Sequence, residues 1–244
     1  KDLEIRGAGS LFGYKQSGKA FALGYDYYSK LVAKRLSGHV VSKSQFSTAK
    51  VRVGDILLDF ITARNEHYPK PGALPQIAHG TIVEDLSRRD FSINTLAVAL
   101  HLGNEHPLID QFGGVKDIQN GLIRSLHDKS FTDDATRILR AIRYEQRLGF
   151  SLEPGTLKLL TRDLRMIDTI SGERLRKEFH RCLSEENSIM TLSRASELGI
   201  LSAINPVLRN TLPTLQLAST AASKKNLNSE LSDQVHLALL AHEM

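Results

Sequence analysis

The segment Asp133-Asp134-Ala135-Thr136-Arg137, followed by Arg140 and Arg143, concentrates groups that can bind a nucleotide. Read as one helix, positions 134, 137 and 140 fall at i, i+3 and i+6, so a carboxylate sits beside fork-shaped guanidinium donors. A carboxylate accepts from an exocyclic amine, and a guanidinium donates to ring nitrogens and carbonyls. Together they can address the edge of a nucleobase. The plain alternative is an intrahelical ion pair worth roughly 0.2–0.5 kcal/mol. A second group, Arg89, Asp90 and Asn94, lies in EDLSRRDFSIN (84–94). On a helix Asp90 and Asn94 share a face, and a guanidinium beside a carboxylate and an amide can grip a triphosphate and a sugar hydroxyl. A solvated helix with surface ion pairs fits the same pattern. Asp59 interrupts the apolar run of DILLDFITAR (55–64), either as a solvated strand carboxylate or as one deliberately held. In LIDQFGGVKDI (108–118), Asp110 closes a short strand, Gly113-Gly114 permit a tight turn, and Asp117 can cap or brace the next element.

These groups need elements to position them. Residues 39–42, 48–53 and 56–62 are rich in Val and Ile and predict strands, with Gly54-Asp55 as a hairpin turn. A Pro/Gly loop follows at 68–75, and helical patterning resumes over 83–100. Ser130 or Thr132 can cap a helix running to Leu148. Asp133 and Asp134 fall in its first turn and Gly149 is the stop. Ile138, Leu139 and Ile142 would anchor that helix in a core. Further helices are predicted over 154–166, 172–183, 188–198 and the last dozen residues, with a polar loop at 219–230. The expected fold is thus α+β in front and all-helical behind.

The 244 residues suit one large domain or two smaller ones. With 32 Lys plus Arg and 27 Asp plus Glu, the net charge is +5, a weak pointer to a polyanionic partner. At 41% hydrophobic and 24% charged residues, a disordered tail, a collagen and a coiled-coil rod are excluded. The single cysteine, Cys182, suits a reducing, cytoplasmic setting and reads as a structural thiol. No apolar run approaches the roughly 20 residues of a membrane helix, no signal peptide is evident, and no membrane or obligate protein partner is expected. The opening Lys1 reads as the start of a fragment or a processed chain.

In their order, DFITAR, PGALP, EDLSRRDFSIN, LIDQFGGVKDI, GLIRSLHDKSF, DDATRILRAIRYEQRLGF and SGERLRKEF resemble the bacterial tRNA nucleotidyltransferase and poly(A) polymerase family, the class II CCA-adding or A-adding enzymes. The resemblance runs from about 32 to 208. It implies a truncated nucleotidyltransferase mixed-sheet head (32–121), a helical neck (122–187) and the start of a helical body (188–244). It also implies transfer of CMP or AMP from CTP or ATP to the 3′ end of tRNA, with Mg2+ as cofactor. Arg89, Asp90 and Asn94 would then meet the triphosphate and sugar. Asp134 and Arg137 would template the incoming base, with Arg140 and Arg143 nearby, and Asp59 would be the additional metal carboxylate.

Two departures stand out. The neck motif reads Asp133-Asp134-Ala135 where the family has Glu-Asp-Pro. The family's opening Gly-Gly-x-Val-Arg-Asp loop and Asp-x-Asp strand do not stand before Val32. Residues 1–31 are similar instead to the post-motor motif of RecG-like helicases and the transcription-repair coupling factor. A less favoured alternative puts Asp2-Leu3-Glu4 on a strand in place of the Asp-x-Asp pair. Three functions are expected from these features: a nucleotidyltransferase impaired by the missing motif, a catalytically inactive tRNA- or nucleotide-binding fragment, and a helicase-derived DNA-binding piece.

Overall fold

The computed structural model describes residues 3–6, 29–44, 48–100 and 106–210. Most of the helicase-like stretch, the helix expected in the last dozen residues and the loop expected at 219–230 lie outside them. The chain divides into two compact units, one made of 1–67 with 75–88 and the other of 68–74 with 89–244.

In the first unit, residues 29–35 are helical (α1). Strands β2 (His39–Ser44), β3 (Thr48–Val53) and β4 (Ile56–Ile61) form an antiparallel meander, and β1 (Leu3–Arg6) adds to β4 in parallel, giving the order β1-β4-β3-β2. Side chains alternate along β4, so Phe60 packs with Val51 and Ala33 while Asp59 takes the other face. Asp59 stands opposite Lys50 on β3 and opposite Glu4 on β1, while Asp2, the other carboxylate of the Asp2-Leu3-Glu4 alternative, lies outside the described residues. Beyond this sheet, β5 (Arg64–His67) and β6 (Gln76–His79) pair as a hairpin, and α2 (Ile82–Ser87) opens with a capping box between Thr81 and Glu84.

The second unit is mainly helical. It contains α3 (Gly114–Gln119), α4 (Ser130–Asp133), α5 (Thr136–Leu148), α6 (Pro154–Arg162), α7 (Gly172–Leu183), α8 (Ser188–Glu197) and α9 (Ile200–Ile204). Two short strand pairs accompany them, β7 (Ala97–Val98) with β8 (Leu108–Ile109) and β9 (Leu122–Ile123) with β10 (Ser151–Leu152). Helix α5 packs against α7 and α8 and buries Ile138, Leu139, Ala141 and Ile142 completely or nearly so. Its buried face matches the apolar spacing of the sequence, and Gly149 ends it with φ of 65°.

Three expected helices are shorter than their sequence pattern. The one over 83–100 stops at Ser87. Phe91 is extended (φ −135°, ψ 155°), a 3₁₀ turn covers Ser92–Asn94, and a strand follows. The reason is tertiary: Phe91 is fully buried and bridges Ser125, and Ser92 N donates to Arg124 O, which together outweigh local helix propensity. The neck helix is interrupted at Asp134, also extended (φ −141°, ψ 97°), so α4 and α5 are separate. The helix over 154–166 ends at Arg162, and a 3₁₀ stretch, Leu164–Thr169, follows.

Candidate nucleotide-binding site

Because the chain leaves the helix at Arg88, Asp90 and Asn94 do not stack at i, i+4. Asp90 is instead a buried carboxylate. Its Oδ1 accepts from Phe91 N at 3.1 Å and its Oδ2 accepts from Arg140 Nε at 2.8 Å and from Arg140 Nη2. This unites two residues that the sequence holds 50 positions apart. Burial opposes the charge on Arg140, yet Asp90 and Glu178, the latter 3.9 Å away, raise its pKa above the ordinary value. Arg89 Nη1 donates to the backbone oxygen of Asn94 at 2.8 Å and so holds the 3₁₀ turn. Its neighbour Arg88 belongs to the first unit, where it is bound to buried Asp85 at 2.7 Å and to Glu66 at 2.8 Å.

A second network braces this turn from below. Asp117 is buried, takes the Ser92 hydroxyl at 2.5 Å and receives Arg124 through Nε and Nη2. Asp110 accepts from Gly114 N at 2.7 Å and Val115 N at 3.0 Å, heading α3. Gly114 has no room for a side chain, since a Cβ would lie 2.5 Å from Ser92 O. The Gly-Gly pair therefore serves a close backbone approach as well as a turn.

The templating candidates sit at the α4–α5 break. Asp134 Oδ1 accepts from Thr136 N at 3.0 Å, Thr136 Oγ1 at 2.6 Å and Arg174 Nη2 at 2.8 Å. Arg137 is buried and donates through Nη1 to Ser130 Oγ at 2.9 Å. Asp134 precedes α5, so the i, i+3 helical pairing expected of it and Arg137 is not formed. Arg143 is buried against Glu185 at 3.2 Å, and Arg147 clamps the same carboxylate. Arg140, Arg143 and Arg147 all lie over the ring of Tyr144, at 5.6, 4.9 and 6.0 Å. Burial pushes the Cys182 thiol up to about 12, which fits a structural role.

Asp59, in the first unit, has Lys50 Nζ 3.0 Å away. The described residues contain no cluster of three His, Cys, Asp or Glu side chains able to hold a metal. One carboxylate already paired with an ammonium does not amount to a two-metal centre, so the described residues by themselves do not fit the expected Mg2+. Sequence reasoning does not single out Arg174, Glu178 and Glu185. SGERLRKEF marks the first two only as part of a motif, and nothing local marks Glu185.

Residues 24–124 match the Poly A polymerase head domain, and residues 149–212 match a domain described as the probable RNA and SrmB-binding site of polymerase A. The A-adding tRNA nucleotidyltransferase of Geobacter sulfurreducens is 41% identical over 193 residues, 78% of this chain and 22% of that protein. The chain belongs to the tRNA nucleotidyltransferase and poly(A) polymerase family. Within this nucleotidyltransferase family, the A-adding enzyme of Halalkalibacterium halodurans is 40% identical over 72% of this chain and 43% of its own length. An apo CCA-adding enzyme superposes with a TM-score of 0.71 at 34% identity, covering 82% of this chain and 49% of that one. A tRNA nucleotidyltransferase solved with a primer tRNA and an incoming ATP analog also reaches 0.71, at 29% identity over 88% of this chain and 63% of that one. The α+β class with a nucleotidyltransferase head and a helical region follows from these relatives. The chain spans less than half the length of the curated relatives named here. No helix among the described residues is long and apolar enough to cross a membrane.

Proposed function

We propose that this chain takes part in nucleotide addition to the 3′ end of tRNA, transferring AMP or CMP from ATP or CTP with release of pyrophosphate. The observation that carries the reading is the α4–α5 break, where Asp134 is fixed by three donors and keeps one carboxylate oxygen available to an exocyclic amine. Arg89 and Asn94 are assigned to the triphosphate and sugar. Asp90 and Arg140 act as a pair that fixes the turn carrying those groups to α5. Arg137 and Arg143 support the same face from within the core. Asp59 is assigned to the reacting end, as the family resemblance implies. The family's general dependence on a divalent ion favours magnesium, with further carboxylates supplied from outside the described residues. We also propose the division into head (32–121), neck (122–187) and the start of a body (188–244).

A second reading, a catalytically inactive module that binds tRNA or nucleotide, is favoured by the pairing of Asp59 with Lys50 and by the lack of a metal-holding cluster among the described residues. One experiment separates the two. The chain is incubated with tRNA lacking its 3′ end, labelled ATP or CTP, and magnesium. Incorporation that Asp59→Ala abolishes supports transfer. Retained tRNA binding with no incorporation supports the binding module. Preference for duplex or branched DNA over tRNA refutes both.

A further inference from the structure

Arg174 has no assigned role, yet it makes two contacts that bear on the base-reading group. Its Nη2 donates to Asp134 Oδ1 at 2.8 Å and its Nη1 donates to Gly72 O at 3.3 Å. Both partners are fixed. Asp134 Oδ1 also receives the N–H and hydroxyl of Thr136. Gly72 has φ of 71° and lies so close to Thr169 that a Cβ would sit 2.2 Å from its carbonyl oxygen. Thus the three donors to Asp134 all converge on Oδ1, while Oδ2 makes no hydrogen bond to any described residue. The Asp134 side chain is 19% exposed, enough for a ligand to reach it.

We propose that Arg174 is a positioning residue that sets base selectivity by fixing the Asp134 carboxylate, so that one acceptor in one orientation meets the amine of adenine or cytosine. This rests on the reading of Asp134 as the base-contacting group. The chemistry follows from hydrogen-bond inventory. Adenine and cytosine carry an amine where hypoxanthine and uracil carry a carbonyl, and a carboxylate oxygen held toward a carbonyl meets no donor. A carboxylate free to rotate can turn away from the carbonyl, which lowers discrimination even when overall binding survives.

The test is equilibrium binding to the full chain without turnover, comparing ATP with ITP and CTP with UTP. Each pair shares its triphosphate, so the lost charge at position 174 cancels in the ratio. Arg174→Gln is expected to reduce the amine-over-carbonyl preference about fivefold, with Arg174→Lys intermediate. In an Asp134→Asn background, Arg174→Gln is expected to change the ratio no further, because it acts through that carboxylate. A change under about twofold in Arg174→Gln, where Asp134→Asn does alter the ratio, overturns the proposal while leaving the base-reading assignment intact. An unaltered ratio in Asp134→Asn, or no nucleotide binding by the parent chain, overturns that assignment and this proposal with it. Thermal melting identifies a variant that fails to fold, in which case Arg174→Lys carries the same comparison.

Discussion

Replacing Arg140 by Met should be one of the most damaging single changes to the helical unit. The substitution keeps most of the side-chain volume, so packing loss is small and electrostatics dominate. It removes both guanidinium bonds to Asp90, a carboxylate only 7% exposed, and leaves Phe91 N as its remaining donor. Breaking a buried pair by removing one partner costs about 3–5 kcal/mol, because the other charge stays buried. Arg140 is itself 26% exposed, so solvent screens part of the interaction and the lower end, about 3 kcal/mol, is expected. Asp90→Asn should cost less, since Arg140 keeps Glu178 at 3.9 Å and the Tyr144 ring. The assay is urea denaturation followed by far-ultraviolet circular dichroism for both single variants and the double variant. If Arg140 stabilises the fold by neutralising Asp90, the double variant is more stable than the sum of the singles predicts. A loss below about 1 kcal/mol for Arg140→Met, or strict additivity, refutes the argument.

Other expectations rest on the same structure. Ile142→Ala, at a fully buried position on α5, should cost about 2–5 kcal/mol, whereas Ile56→Ala, 60% exposed on β4, should stay within about 0.5 kcal/mol; paired denaturation curves measure both. Cys182, its thiol pushed up to about 12 by burial, should resist a thiol reagent at pH 8 in the native chain and react promptly in urea; rapid native labelling would contradict its burial. Burial, then the Arg137 charge, lower the His127 pKa below 6.5, so the unfolded chain binds the extra proton more readily and stability falls as pH drops below about 6.5. His127→Asn should therefore lose less stability than the parent between pH 7.5 and 5.5. Gly72→Ala should increase proteolytic cleavage within 68–74, since both the positive φ and the Thr169 carbonyl oppose a side chain there.

The sequence by itself determined the elements whose patterns are local. β3 and α7 fall over 48–53 and 172–183, the ranges expected from the sequence, the α5 core follows from Ile138, Leu139 and Ile142, and Gly149 ends that helix. The order of the motifs was sufficient for the family. Only the tertiary structure decided which partners these side chains take. Spacing alone makes Asp90 and Asn94 helical neighbours. Burial of Phe91 pulls the chain out of the helix and delivers Asp90 to Arg140, 50 residues on. Spacing likewise makes Asp134 a first-turn residue, and its extended backbone instead makes it the break that heads α5 and receives Arg174, 40 residues on. Such pairings carry no periodic signal, because a carboxylate's partner is fixed by where the core brings the chain together. The net charge of +5 could not foretell this either. Arg137, Arg140 and Arg143 are drawn into buried or half-buried contacts with other side chains, Arg140 with Asp90 and Arg143 with Glu185.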